Sequence, residues 1–285
     1  MSLAAANNLK TATGPTRDFC WRERERLRAR LEQQLPAKIT AEEIEVHFAA
    51  MPPHYWERVT EADLVWGLET IHGFLKLIAS PQVSATAPFV SWSQAHQPHC
   101  VRVMLCTWDR HSLLAKAAAA FSAVRLNIHQ ADVFTGADNV VLDQFSVTNA
   151  DGRSAVSETR LQDMTFLLEG ALSEPPRFAS VWACSRHKFL AAPSLIAPQI
   201  TFDNDTSLDS TLVHIIAADR LGLLYDILQA IADAGLNIKQ ARIATERNLA
   251  LDTIHVTDER GQKLSGKGRI ESLHERLVAA LTVSD

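Results

Sequence analysis

The sequence predicts an α+β protein in which two copies of one strand–helix–strand–strand–helix unit follow a helical N-terminal segment. Three observations lead to this prediction: an internal repeat of about 110 residues, alternating apolar residues in the strands, and apolar stripes at helical spacing. The length of 285 residues is also that of about two domains.

The composition excludes several classes of protein. With 47% apolar and 21% charged residues, the chain has the make-up of a folded globular protein. A net charge of −5 argues against nucleic acid or a membrane as a partner, and the apolar runs are shorter than the roughly 18 residues that cross a bilayer. No charged-then-apolar leader begins the chain, and the four cysteines form no CxxC pair. We therefore expect a cytoplasmic protein with reduced thiols and no metal site.

The repeat is clearest between residues 101–135 and 211–245, where 12 of 35 aligned positions are identical. Unrelated sequences would share about two such positions, so the match indicates a duplicated domain. The corresponding residues include Asp109 with Asp219, Arg110 with Arg220, Asn127 with Asn237, Ile128 with Ile238 and, after a one-residue shift in a turn, Asp143 with Asp252.

Each copy reads as an antiparallel sheet with both helices on one face, the ferredoxin-like βαββαβ order. No last strand is evident after the second helix, so we expect the segments 88–92 and 198–202 to supply an edge strand instead. The predicted parts are a helical segment over 1–85, a first copy over 86–172, a linker over 173–196 and a second copy over 197–285.

The N-terminal segment carries the start signals of two helices. Thr40 and Glu43 have the spacing of a capping box, and Thr60 with Asp63 repeats it more weakly. An earlier helix is expected over 21–35. The apolar stripe of the last helix comprises Leu64, Leu68, Ile71, Leu75 and Ile78.

The turn between the first strand and first helix of the second copy is the candidate binding site. Asp219 is placed to cap the helix, and Gly222 has no side chain to block a ligand that approaches the backbone. A helix N-terminus attracts a carboxylate, and a carboxylate such as Asp219 holds an ammonium group, so the corner suits both ends of an amino acid. Asn237 offers an amide to a polar side chain. The alternative is that these residues only cap, turn and allow close packing.

Catalytic machinery is not evident. The sequence contains neither a G-x-x-x-x-G-K-[ST] phosphate loop nor a G-x-G-x-x-G motif. Asp203 and Asp205 have the spacing of a metal-binding carboxylate pair, but the Gly-Ser element of nucleotide transfer is missing nearby. We therefore expect no catalytic residues and no cofactor.

The second copy, with D-R-x-G-L-L before a helix and L-N-I-x-x-A after it, resembles the ACT domain, a small-molecule-sensing module. The context, with Phe202 to Ser207, His47-Phe48, Met51-Pro52 and Tyr55, looks like the C-terminal portion of bacterial protein-PII uridylyltransferases. In that family the ACT pair senses glutamine and switches catalytic domains that lie upstream.

The resemblance implies a non-catalytic regulator of nitrogen metabolism that binds an amino acid where ACT domains pair, within one chain or in a homodimer. It also implies a protein partner in nitrogen signalling. The first copy departs from the pattern, because Ser112 stands in the glycine place and His111 precedes it. A ligand-free interaction scaffold and a fragment of the uridylyltransferase are the alternatives. The ligand positions implied by the resemblance are Asp219, Arg220, Gly222, Leu223, Asn237 and Ile238, followed by Asp109, Arg110, Asn127 and Ile128.

Overall fold

The computed structural model describes residues 26–95, 99–172 and 197–282. The start of the first predicted helix and the predicted linker over 173–196 lie outside these residues. Eight strands form one antiparallel sheet in the order β1-β2-β4-β3-β7-β8-β6-β5. Their bounds are β1 Phe89–Gln94, β2 Val101–Trp108, β3 Leu126–Asp132, β4 Val140–Asn149, β5 Gln199–Asp203, β6 Thr211–Ala218, β7 Asn237–Glu246 and β8 Leu249–Thr257.

The predicted α+β fold is confirmed, and the first strand of each copy is an edge strand as expected. β1 pairs antiparallel with β2, and β5 pairs antiparallel with β6. The two copies join in one chain through β3 and β7, where Ala131 lies opposite Ile243. This pairing joins two four-stranded sheets into one. It also brings the turn that follows β2 in the first copy, and the turn that follows β6 in the second, close to the other copy.

Four helices cover the inner face of the sheet, two from each copy. Leu113, Leu114 and Phe121 are buried on α5 (Leu113–Ala123), and their counterparts on α7 (Leu223–Asp233) are buried in the same core. α5 and α7 also pack against each other. The helix bounds are α1 over 26–34, α2 Ala41–Ala50, α3 Tyr55–Arg58, α4 Glu61–Ile78, α5 Leu113–Ala123, α6 Glu158–Leu172, α7 Leu223–Asp233 and α8 Lys267–Leu281. No helix in the described part of the chain has the length and apolarity needed to span a bilayer.

The ends of α5 and α7 have the same geometry despite different residues. Both helices begin after a residue with left-handed backbone, Ser112 with φ 60° and Gly222 with φ 81°. Both are followed by a left-handed residue, Arg125 with φ 61° and Gly235 with φ 69°. Glycine adopts this conformation without steric cost, whereas Ser112 and Arg125 are held in it by the surrounding fold.

The N-terminal helices cover the outer face of the first copy. Both predicted capping boxes form, with the amides of Glu43 and Asp63 each 3.2 Å from the preceding threonine hydroxyl. One expectation for the α4 stripe was wrong, because Leu75 is 40% exposed and the fully buried residue of that turn is Phe74. One residue is about 100° of helical rotation, so the buried face of α4 runs through Phe74 instead.

The side chains of the first copy explain why the N-terminal helices pack there. Its outer face presents five buried residues to them: Met104, Cys106, Phe134, Val140 and Leu142. The corresponding residues of the second copy are His214, Ile216, Ala244, Leu249 and Leu251. His214 makes the outer face of the second copy more polar, and Ala244 stands where the first copy has the aromatic Phe134. The outer faces of the two copies therefore differ in what they can pack against.

Candidate functional site

A cleft of about 830 Å³ lies at one of the two junctions between the copies. One wall is the corner from β2 into α5, residues 109–115, and the facing wall is the start of β7, residues 237–240. The N-terminal segment contributes Pro52, Pro53 and His54. Four of the residues predicted as ligand positions line this cleft: Asp109, Arg110, Asn237 and Ile238.

The N-terminus of α5 opens into the cleft. Ser112, the residue before the helix, makes no side-chain cap, and residues 113–115 of the first turn line the cavity. The amides of a first helical turn carry partial positive charge and lack intrahelical acceptors. This wall can therefore accept an anionic group such as a carboxylate.

Two carboxyl groups lie on the same side of the cleft. Burial raises the pKa of Asp109, although a hydrogen bond from the Arg110 backbone opposes the rise. Asp143 is fully buried, and its Oδ1 accepts a hydrogen bond of 3.2 Å from the Phe134 amide. Its Oδ2 has no hydrogen-bond partner among the described residues. Burial raises the pKa of Asp143 well above its usual range, and the nearby Asp109 adds to the effect.

The second junction contains the turn from β6 into α7, which the sequence analysis favoured as the binding site. Asp219 does not cap α7, so that expectation was wrong: the residue before the helix is Gly222, and no side chain caps it. The carboxylate of Asp219 instead accepts a 2.9 Å hydrogen bond from the amide of Asn127 in the other copy. Six predicted ligand positions belong to this junction and are not among the residues that line the cleft: Asp219, Arg220, Gly222, Leu223, Asn127 and Ile128.

The two junctions therefore differ in their polar contacts. The Asn127 side chain bridges to Asp219, but no hydrogen bond joins the equivalent Asn237 to Asp109 in the described part of the chain. Leu223 and Ile128 are buried in the core, at 3% and 7% exposure. The structure thus assembles an open polar cavity at the first-copy corner, where Ser112 replaces glycine.

The repeated arginines tie the corners to the last helix of each copy. Arg110 donates to the Leu172 carbonyl at the end of α6, 2.5 Å away, and also to Thr86 and Thr107. Arg220 donates to the Ala280 carbonyl in α8 at 3.0 Å and pairs with Asp226 at 2.6 Å. An arginine near a helix C-terminus satisfies free carbonyls and compensates the helix dipole. This shared contact explains in structural terms why the Asp-Arg pair occurs in both copies.

Replacement of Arg110 by alanine is expected to lower the free energy of unfolding by about 2 kcal/mol, because several charge-assisted bonds to backbone carbonyls are lost. Urea denaturation measures the change. The exposed Arg153 provides the control, and Arg153→Ala is expected to change stability by less than about 0.5 kcal/mol. Equal stabilities of the two variants would show that the Arg110 contacts do not hold the corner.

His54 and Asp143 are residues of the cleft that the sequence analysis did not identify as functional. Asp143 carried a usable signal, because it and Asp252 are acidic residues at the same buried position of a duplicated apolar strand. His54 lies in the segment before α3 and carries no local signal that associates it with a site on the sheet. Among residues 26–95, 99–172 and 197–282, no group of histidine, cysteine and acidic residues could hold a metal ion.

Comparison with known proteins supports the assignment of the repeat. The model of the ACR9-like, ACT-like domain matches residues 199–284. The chain is 27% identical over 245 residues to the bifunctional uridylyltransferase/uridylyl-removing enzyme of Azospirillum brasilense. The aligned residues make up 85% of this chain and 25% of that enzyme. The enzyme of the same name from Azotobacter vinelandii strain DJ is 31% identical over 215 residues, 74% of this chain and 23% of the enzyme.

The chain spans about a quarter of the length of these curated relatives. The matched domain is the second copy of the internal repeat, and the first copy has the same order of strands and helices. The second copy therefore matches an ACT-like domain, the first copy repeats its fold, and the chain resembles a portion of the bifunctional uridylyltransferase/uridylyl-removing enzymes.

Proposed function

We propose that this protein is a non-catalytic regulator that binds a small amino acid in the cleft between its two copies. The observation that carries the proposal is the cavity itself, in which the uncapped N-terminus of α5 and the carboxyl of Asp109 lie in one wall. The facing wall belongs to the other copy and contributes Asn237. Glutamine is the leading ligand, by resemblance to the ACT pair of the uridylyltransferases.

Each end of an amino acid has a complementary group in the cleft. The ligand carboxylate is bound by the amides of the first turn of α5. The ammonium group is bound by Asp109, whose pKa is raised by burial, an effect that Arg110 opposes only in part. From the facing wall, Asn237 at the start of β7 offers an amide to a polar group of the ligand.

Regulation follows from the position of the cleft between two bodies. A ligand that contacts both copies stabilises the arrangement in which it can touch both walls of the cleft. The difference between its affinities for this arrangement and for one with the walls apart shifts the equilibrium by about 1–3 kcal/mol. In this proposal the chain acts in the cytoplasm as a regulator in nitrogen sensing, in the way that the resemblance implies for the C-terminal portion of the uridylyltransferases. Its protein partners are in nitrogen signalling, and its ACT-like domains also support a homodimer.

The proposal is tested by isothermal titration calorimetry of the purified chain against each of the 20 amino acids. Asp109→Asn is expected to weaken binding of the best ligand at least about tenfold, because a charge-assisted contact is lost. Asp219→Asn makes the same chemical change at the other junction and is expected to leave the affinity within about threefold.

Loss of binding in Asp219→Asn alone would assign the site to the second-copy corner, as the sequence favoured, and would refute the cleft. If none of the 20 amino acids binds the native chain, the sensor proposal fails and the interaction scaffold is the better explanation. Incubation with UTP and a PII protein addresses the enzyme alternative, and uridylylation of the PII protein would contradict a non-catalytic role.

A further inference from the structure

Two buried polar atoms without partners belong to residues that line the same cleft. They are Nε2 of His54 and Oδ2 of Asp143, and neither has a hydrogen-bond partner among the described residues. An unsatisfied polar group is costly to bury, and such groups are rare in folded proteins. Three other buried atoms of this kind belong to residues that do not line the cleft: His47, Trp56 and Asp252. The atoms of His54 and Asp143 belong to one cavity, where a bound molecule can complete the hydrogen bonds of both.

The fold holds His54 in a defined orientation. Its ring stacks on Phe134 with centroids 5.5 Å apart, and it hydrogen-bonds to the backbone of Val133. Because Nε2 is the atom without a partner, Nδ1 makes that bond and carries the proton. Burial and the nearby Arg58 lower the pKa of His54 to about 4. At neutral pH the ring is uncharged, so Nε2 carries a lone pair, and no described residue donates a hydrogen bond to it.

Asp143 presents the complementary chemistry. Its Oδ1 accepts a hydrogen bond from the Phe134 amide, the neighbour of the residue that holds His54. Burial raises the pKa of Asp143 and so favours the protonated form of its carboxyl group. In that form Oδ2 donates, because Oδ1 accepts the hydrogen bond from the Phe134 amide. These two residues of the cleft therefore carry one unpartnered acceptor, His54 Nε2, and one unpartnered donor, Asp143 Oδ2.

We propose that His54 and Asp143 form a polar subsite that binds the side-chain end of the ligand and selects a neutral group that both donates and accepts hydrogen bonds. A carboxamide or a hydroxyl has this property, whereas a carboxylate or a hydrocarbon does not. The inference rests on the proposed function and adds the N-terminal segment as a third contributor to the site. Ligand binding then connects that segment to both copies of the repeat.

The duplication shows that burial of the aspartate is not sufficient for this role. Asp252 occupies the equivalent position in the second copy, where its Oδ1 is also without a partner and the Ala244 amide donates to its carboxyl group. Asp252 does not line the cleft, and no histidine of the N-terminal segment is paired with it there. Asp143 and Asp252 are therefore a matched pair for experiment.

Calorimetry with amino acids of similar shape tests the subsite. The pairs are glutamine with glutamate, asparagine with aspartate, and threonine with valine. We expect the native chain to bind the neutral polar member of at least one pair about tenfold more tightly than its counterpart. His54→Phe keeps an aromatic ring against Phe134 but removes Nε2, and we expect the preference to fall to about threefold or less while weaker binding remains.

Two substitutions of Asp143 separate a hydrogen-bonding role from a charge role. Asp143→Asn keeps a donor and an acceptor, so the preference is expected to persist, whereas Asp143→Val is expected to abolish it. Asp252→Val is the control and should leave the preference unchanged. Thermal melts identify any variant that fails to fold, and in that case His54→Phe and Asp143→Asn decide the question.

The outcomes are distinguishable. Binding of an amino acid without preference for neutral polar side chains would overturn the subsite but leave the sensor proposal intact. Loss of the preference in Asp143→Asn would overturn it as well, because a charge would then be the recognised feature. Absence of binding by every amino acid tested would overturn both proposals.

Discussion

Phe134→Ala is expected to destabilise the protein by about 3–5 kcal/mol, the cost of removing a fully buried aromatic side chain. Phe134 is 1% exposed and lies between the sheet of the first copy and the N-terminal segment, in edge contact with Tyr55 at 4.9 Å. The substitution creates a cavity in this contact and makes the site match Ala244 of the second copy. Guanidinium denaturation followed by tryptophan fluorescence measures the loss.

The control is Phe166→Ala, since Phe166 is 74% exposed on α6. Its removal is expected to change the free energy of unfolding by less than about 0.5 kcal/mol. A loss below about 1 kcal/mol for Phe134→Ala would mean that the N-terminal helices do not depend on this aromatic contact.

Asp252→Asn is expected to stabilise the protein at pH 8 by as much as about 4 kcal/mol and to have little effect at pH 4. Burial raises the pKa of Asp252 to about 7, with Asp219 contributing to the rise. Between the ordinary aspartate pKa and about 7, the folded state holds a proton that the unfolded state has released. Stability is therefore fully present below about pH 4 and is lost as the pH rises through about 7.

Urea denaturation of the native chain and the variant at unit intervals from pH 4 to pH 8 measures this difference. Asp205→Asn removes the same charge from an exposed position of the second copy, and its pH profile is expected to follow that of the native chain. Parallel profiles for Asp252→Asn and the native chain would show that the buried carboxyl group titrates normally.

The fold of this protein was predictable because its signals are local or repeated. The capping boxes at Thr40 and Thr60 depend on residues three positions apart, and both form as predicted. The duplication gave every strand and helix a corresponding segment in the other copy, including the edge strands β1 and β5, which form as expected. The error at Leu75 arose because spacing alone does not fix the rotation of α4 against the sheet.

The site was less predictable because its contacts join distant parts of the chain. The residues of the strand-to-helix turn led to the corner at Gly222 and to Asn237, and the correspondence between copies brought in Asp109 as a weaker candidate. Spacing cannot reveal that Asn127 bonds to Asp219 at one junction while a cleft opens at the other. Nor does it associate His54 with Asp143, which lies 89 residues later in the sequence.

The repeat of about 110 residues established the duplication, and short-range patterns established the order of its helices and strands. That order depends on periodicity, capping and turns, which involve only a few consecutive residues. The folded arrangement alone establishes which junction is open and what lines it. The reason is physical: the cleft is defined by the pairing of β3 with β7 and by the packing of the N-terminal segment, both of which are long-range contacts.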